Sequence, residues 1–170
     1  MADGDSGRLA GEFSLERQTQ DNWCWAAIGA ALARYFHRPQ RTQCALVQGT
    51  LHPVGVNCCE TPGHPQCDRV ERISSVLAEV GVARLAQPPQ PEGQLAYATI
   101  RSDIGRDRPV ICLMSGMDGE HYVIVVGWFI EAGVPWLVVD DPADGYRHRV
   151  TYSDFFSFGG RQWTQTTRLA

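Results

Sequence analysis

Helix-forming patterns end at Gly105 and strand patterns begin after Pro109, so a helical first part precedes a β second part. Runs suited to strands cover Val110 to Met114, His121 to Ile130, Val134 to Asp140, Tyr146 to Tyr152 and Arg161 to Arg168. Turn signals separate several of them: Met117-Asp118-Gly119, Ala132-Gly133 and Asp144-Gly145. Helices followed by a run of short strands predict an α+β fold with antiparallel pairing, not βαβ repetition. At 170 residues the chain suits one domain, 1-170, because either half alone would build a poor core. The expected division is a helical lobe over about 16-105 and a β lobe over about 106-170, with a cleft between them. Apolar residues at 44% and charged residues at 20% agree with a folded chain and exclude a disordered one.

The best helix signal starts at Trp23-Cys24-Trp25-Ala26-Ala27 and runs to Phe36, with Asp21 and Asn22 standing where an N-cap belongs. Its small residues let a neighbour pack close, so it reads as a buried helix. Residues 39 to 68 read as irregular and rich in Cys, Pro and Gly. A second helix is expected from Cys67 or Asp68 to Val80, with Val70, Ile73, Val76, Leu77 and Val80 on one stripe and Gly81 as its stop. Pro88-Pro89-Gln90-Pro91 reads as a stiff connector, and a third helix as Gln94 to Ile104.

Cys24 falls in the first turn of the first helix, where the dipole and unpaired N–H groups stabilise negative charge on sulfur. That position makes it a candidate nucleophile, against the plainer reading of a buried structural cysteine. His121 opens a strongly apolar strand, and Asp140 and Asp141 end the next one just before Pro142. If the two strands form a hairpin, the imidazole and the two carboxylates lie near the same end. A carboxylate there orients the ring while the ring takes the thiol proton. Singly, His121 could be a satisfied core histidine and a terminal Asp a turn former; the three together point to nucleophilic catalysis. The oxyanion formed on attack needs donors, and the Cys24 N–H with a side-chain amide from Gln18 or Gln20 would supply them. His148, in Tyr146-Arg147-His148-Arg149, is the rival general base, on a more polar strand that suits a surface role.

Gln18, five residues, then Cys24-Trp25-Ala26, with a downstream His121 and a late Asp, resembles the papain-like cysteine peptidases. It is similar in particular to the compact bacterial branch of effector proteases and bacteriocin-processing peptidases. The resemblance implies a helical lobe and a β lobe meeting at an active cleft, and no cofactor. It also implies Cys24 as nucleophile, His121 as general base, Asp141 rather than Asp140 as the orienting residue, and Gln18 rather than Gln20 at the oxyanion hole. The chain departs from the wider family where Asp21-Asn22-Trp23 replaces a Gly- and Ser-flanked second cysteine, and where Pro142-Ala143 replaces a shielding Trp.

Among the other cysteines, Cys112 within Val110-Ile111-Cys112-Leu113-Met114 reads as a core residue. Cys44, Cys58, Cys59 and Cys67 cluster in the loop-rich region, and a bond between the adjacent Cys58 and Cys59 is sterically disfavoured. The pairings left are 44–58 with 59–67, or 44–59 with 58–67. Free thiols and a zinc site, with His52 or His64, are the rival readings; the absence of a Cys-x2-Cys knuckle favours disulfides. A resembling bacterial group carries a Cys-Cys…Cys insert after its catalytic helix, which agrees with a structural role.

A net charge of −4 argues against nucleic acid as the main partner. Arg34, His37, Arg38 and Arg41 form the one basic cluster, read as cations at a helix C-terminus rather than as an anion site. The longest apolar stretch, Tyr122 to Ile130, is far short of the about 20 residues that span a bilayer, so no membrane helix is expected. The acidic opening Met1-Ala2-Asp3-Gly4-Asp5 does not read as a secretory leader. All 15 Lys-or-Arg residues are Arg, which a GC-rich genome explains; a protein delivered into another cell would also gain by offering no lysine for modification. The reading is a monomeric thiol endopeptidase acting on protein or peptide substrates, secreted or delivered as an effector or toxin, with a cytoplasmic enzyme as the alternative location. An immunity or inhibitor protein is a partner consistent with that role. A glutamine deamidase or transglutaminase on the same triad, and an inactive binding module, are the alternative functions.

Overall fold

A computed structural model describes residues 5–84 and 93–170. The Pro88-Pro89-Gln90-Pro91 connector lies outside the described residues. The chain gathers into two compact units, one drawn from Met1–Phe13, Arg84–Asp141 and Arg147–Ala170, the other from Ser14–Ala83 and Pro142–Tyr146. Helix α4 (Tyr97–Ile104) thus belongs with the strands. The fold is α+β, with antiparallel pairing throughout its sheet.

The first unit is built on β2 (Val110–Gly116), β3 (Gly119–Glu131), β4 (Val134–Asp141), β5 (Tyr146–Thr151) and β6 (Gln162–Thr167), in the order β5-β4-β3-β2-β6. β1 (Ser6–Arg8) pairs with the far end of β3. The β3–β4 turn is Ala132-Gly133, both residues at positive φ, the geometry that matches the right-handed twist of a two-residue hairpin. Val110 to Met114 and His121 to Trp128 are continuously buried rather than alternating, because both faces of the central strands are covered. Asp103 on α4, 1% exposed, is tolerated there because Arg168 meets it through Nε and Nη2 at 2.6 and 3.0 Å.

The second unit packs α1 (Cys24–Tyr35), α2 (Gln43–Leu51) and α3 (Ile73–Val80) together. α1 is buried on nearly all sides, and Gly29 is where α3 comes closest: a Cβ built there would lie 2.5 Å from Val76 Cγ2. α3 ends at Gly81 in the left-handed conformation, as the sequence indicates, and buries Ile73, Val76, Leu77 and Val80. It starts later than the apolar stripe suggests. Cys67 is held in a disulfide and Val70 is exposed, so residues 67–72 follow a separate path.

The remaining differences have local causes. α2 occupies a stretch expected to be irregular; Thr42 caps it by accepting from the Ala45 N–H at 3.3 Å, and Leu46 and Val47 are its buried face. The N-cap of α1 is Trp23 without a side-chain cap bond, because Asn22 is engaged by Asp68. α4 begins at Tyr97 rather than Gln94, whose amide donates to the Trp163 carbonyl at 2.8 Å.

Candidate active site

Each unit holds some of the candidate catalytic residues. In the second unit Cys24 is the first residue of α1 and 2% exposed. The first hydrogen bond of this helix joins the Ala27 N–H to the Trp23 carbonyl at 2.9 Å, so the N–H groups of Cys24, Trp25 and Ala26 have no acceptor within the helix. They aim partial positive charge at the region where anionic sulfur or oxygen would develop.

The indoles on either side of Cys24 fix its position. Trp23 Nε1 donates to the Cys67 carbonyl at 2.9 Å and Trp25 Nε1 to the Arg69 carbonyl at 3.1 Å. Both rings are almost fully buried, so each N–H needs such a partner. Gln18 precedes the nucleophile on a strap whose backbone is gripped by the buried Gln43. Gln43 Nε2 donates to the Arg17 carbonyl at 2.9 Å, and its Oε1 accepts from the Thr19 N–H at 3.1 Å. The Gln18 N–H donates to the Pro142 carbonyl at 2.8 Å. Its side-chain Nε2 donates to the carbonyls of Gln20 at 2.9 Å and Asp21 at 2.6 Å, and its Oε1 is buried with no acceptor bond among the described residues. Sequence reasoning missed Gln43, because it lies on the unforeseen α2.

In the first unit, His121 Nε2 and Asp141 Oδ1 are 2.6 Å apart, with both side chains largely buried. Strand register explains why Asp141 and not Asp140 is there. Pairing runs from Glu131 opposite Val134 to Gly127 opposite Val138, then shifts, so that Val125 faces Val139 and Ile124 faces Asp140. Val126 is the extra residue of a β-bulge. One step further along, Asp141 comes opposite Val123, on the face His121 shares, and diagonal neighbours on one face are within reach of long side chains. An unbroken register would have put Asp140 on that face instead.

Asp140 points the other way and is 3% exposed. Arg147 holds it through Nε at 2.7 Å and Nη2 at 2.8 Å, and Nη2 also donates to the Phe13 carbonyl at 2.9 Å. The bond to Asp140 pushes the Arg147 guanidinium above its ordinary range. His148, on β5, sets its ring edge-on to Phe158, and one of its ring nitrogens lies within 4.8 Å of an Asp141 carboxylate oxygen.

Two disulfides, Cys44–Cys59 and Cys58–Cys67, select between the two pairings the spacing allows, and they consume the thiolates a zinc site would need. Cys112 is fully enclosed, and burial pushes its thiol well above the ordinary value, which suits an inert core residue. In the basic cluster, Arg34 pairs with Glu16 at 2.6 Å and Arg41 pairs with Glu79, so carboxylates already answer both cations. No helix among the described residues is long and apolar enough to cross a membrane.

Solved structures share the fold. The peptidase domain of Streptococcus ComA, a bifunctional ABC transporter of a quorum-sensing pathway, superposes with a TM-score of 0.58 over 94% of this chain and 98% of that one, at 16% identity. Digestive procathepsin L 3 of Tenebrio molitor larval midgut gives 0.57 over 98% and 70%, at 12% identity. A structure from work on the mite allergens Blo t 1 and Der p 1 gives 0.55 over 96% and 68%, at 16% identity. At such identities these likenesses speak to the fold, which is papain-like. No curated protein matches the sequence. A family model does: residues 9–158 match the papain-like cysteine protease AvrRpt2 family, and with most of its length covered the chain belongs to that family and is a cysteine peptidase.

Proposed function

We propose that the chain is an endopeptidase working through Cys24, His121 and Asp141, with Gln18 and the Cys24 N–H at the oxyanion. The observation that carries this reading is the 2.6 Å bond between His121 Nε2 and Asp141 Oδ1. With Nε2 committed to the carboxylate, Nδ1 is the nitrogen that exchanges a proton with the thiol. Cys24 at the first position of a buried helix supports the other half. The reaction requires the two to meet at a bound peptide, and the whole chain then acts as one catalytic domain.

Cys24 Sγ gives its proton to His121 Nδ1 and attacks the scissile carbonyl carbon, and the carbonyl π pair moves to oxygen. The Cys24 N–H donates to that oxyanion, and one Gln18 Nε2 hydrogen turns from a backbone carbonyl to join it. Collapse breaks the C–N bond as His121 returns the proton to the departing amine. Water then gives a proton to His121 and attacks the thioester, the C–S bond breaks, and the proton returns to sulfur. Asp141 stays ionised and stabilises the imidazolium in both halves.

The disulfides suit a protein that works or matures in an oxidising compartment, which agrees with a secreted or delivered enzyme. The test incubates the wild type, Cys24→Ala, His121→Ala and Asp141→Ala with a whole proteome and reads new N-termini. Cleavage by the wild type, none by Cys24→Ala or His121→Ala, and cleavage by Asp141→Ala slowed on the order of 10²–10⁴-fold are the expected results. A gain of about 1 Da at glutamines without new termini, the mark of deamidation, would replace endopeptidase by deamidase on the same residues. Turnover unchanged in Cys24→Ala would refute the mechanism outright. The bifunctional alkylator 1,3-dibromoacetone checks the pairing separately, since it should join Cys24 to His121 in the native protein and in no His121 variant.

A further inference from the structure

The loop that delivers Cys24 is fastened to a short segment remote from it in sequence. Asp68 Oδ1 accepts from the Asn22 N–H at 3.0 Å and from Asn22 Nδ2 at 3.2 Å, and Asn22 Nδ2 also reaches the Asp68 carbonyl at 3.3 Å. The residues on either side of Asp68 take the two indole bonds already described, Trp23 to Cys67 and Trp25 to Arg69. Three consecutive residues, 67 to 69, therefore hold residues 22, 23 and 25, which bracket the nucleophile. The segment is itself anchored, because Cys67 is bonded to Cys58. The Asn22 side chain stands where a cap of α1 was expected, yet it is drawn away from the helix.

We propose that Asp68 is a positioning residue for the peptidase reaction, fixing the backbone at residues 22–24 and with it the aim of the Cys24 Sγ and N–H; this rests on the mechanism proposed above. The Asp68 carboxylate bonds to Asn22 and is assigned no contact with the substrate or the reacting atoms. Asp68 acts through Asn22, and its carboxylate locks the turn before the helix while leaving the first helical N–H groups open to an oxyanion. An Asn at 68 keeps an Oδ1 able to accept both bonds, whereas an Ala removes the acceptor.

The experiment compares the full, disulfide-intact chain with Asp68→Ala, Asp68→Asn and Asn22→Ala. The measurements are kcat and KM on a cleaved peptide, the melting temperature, and the rate at which iodoacetamide alkylates Cys24, with the enclosed Cys112 as an unreactive internal reference. Asp68→Ala should lower kcat on the order of 10²-fold, the cost of misplacing a reacting group by about 1 Å, with KM nearly unchanged. Asp68→Asn should recover most of that loss, and Asn22→Ala, which spares the backbone bond, should fall between. A folded Asp68→Ala protein with wild-type kcat overturns the proposal, as does a loss that Asp68→Asn does not recover. If Asp68→Ala does not fold, wild-type kcat in Asn22→Ala overturns it and a lowered kcat upholds it. If the wild type shows no turnover that depends on Cys24, the peptidase reading fails, and alkylation alone decides: equal Cys24 rates in wild type and Asp68→Ala overturn the proposal, and a changed rate upholds it.

Discussion

Replacing Gly29 with alanine sets two effects of known sign against each other. In the interior of α1, Ala is favoured over Gly by about 0.8–1.0 kcal/mol of helix propensity. The added Cβ, however, would lie 2.5 Å from Val76 Cγ2, 3.3 Å from its Cγ1 and 3.5 Å from Leu46 Cδ1. Valine has one strongly preferred rotamer on a helix, so Val76 cannot easily swing aside, and overpacking of this kind costs about 1–3 kcal/mol. Packing wins, and Gly29→Ala should destabilise the protein by about 1 kcal/mol, or roughly 2–4 °C in Tm for a chain of this size. Val76→Ala alone deletes two buried methyl groups and should cost about 2 kcal/mol. In that background the new methyl at 29 enters vacated space, so Gly29→Ala should become stabilising by about 1 kcal/mol, a coupling near 2 kcal/mol between the sites. Urea denaturation of the four proteins measures the cycle. If Gly29→Ala raises stability equally with and without Val76, the close approach of α1 to α3 is not as described and the reasoning fails.

Two further outcomes are expected. Replacing both members of the Cys44–Cys59 bridge by Ala, a separation of 15 residues, should cost about 3 kcal/mol, and the Cys58–Cys67 pair, at 9, about 2.6 kcal/mol. Only the second should also lower kcat beyond its effect on the folded fraction, because Cys67 carries the Trp23 bond; equal kcat losses in the two variants would contradict this. At the alkaline end, desolvation raises the Tyr97 and Tyr152 phenols above their ordinary value, and their hydroxyls donate to the carbonyls of Phe129 and Leu95 at 2.9 and 2.8 Å. A phenol whose folded pKa exceeds its unfolded one adds stability fully present below about pH 10 and lost as pH rises through the folded value. Melting temperature should therefore fall above about pH 10, and less steeply in Tyr97→Phe/Tyr152→Phe; parallel curves would remove these two groups as the cause.

β2, β3 and β4 were legible because each has a hydrophobic run bounded by Gly, Pro or Asp, and Ala132-Gly133 marked the hairpin joining β3 to β4. The bulge was not legible. Nothing in Val123-Ile124-Val125-Val126-Gly127 distinguishes the residue without a partner, and on that one residue depends whether Asp140 or Asp141 faces His121. The resemblance to papain-like peptidases chose Asp141 where side-chain alternation alone could not. α2 was hidden because its cap is a lone Thr42 and its buried face only Leu46, Val47 and Gln43, too brief a pattern to rise above the surrounding Cys, Pro and Gly. The supports of Cys24 were hidden for a different reason. Asp68 lies 46 residues from Asn22, and Cys67 lies 44 from Trp23, separations at which local pattern carries no information.

The crossed bridges give residues 44 to 67 an unusual topology. Because Cys58 and Cys59 are neighbours, the two disulfides close fused rings that share a single peptide linkage. A nick anywhere between Cys44 and Cys67 leaves both fragments tethered, since every such cut falls inside at least one ring. The stretch also contains no arginine or lysine, so trypsin, cutting after Arg41 and Arg69, releases it whole with all four sulfurs. An enzyme that works among other proteases would thus keep the floor beneath its nucleophile in one piece, and a nicked sample would run as intact protein until reductant is added to the gel.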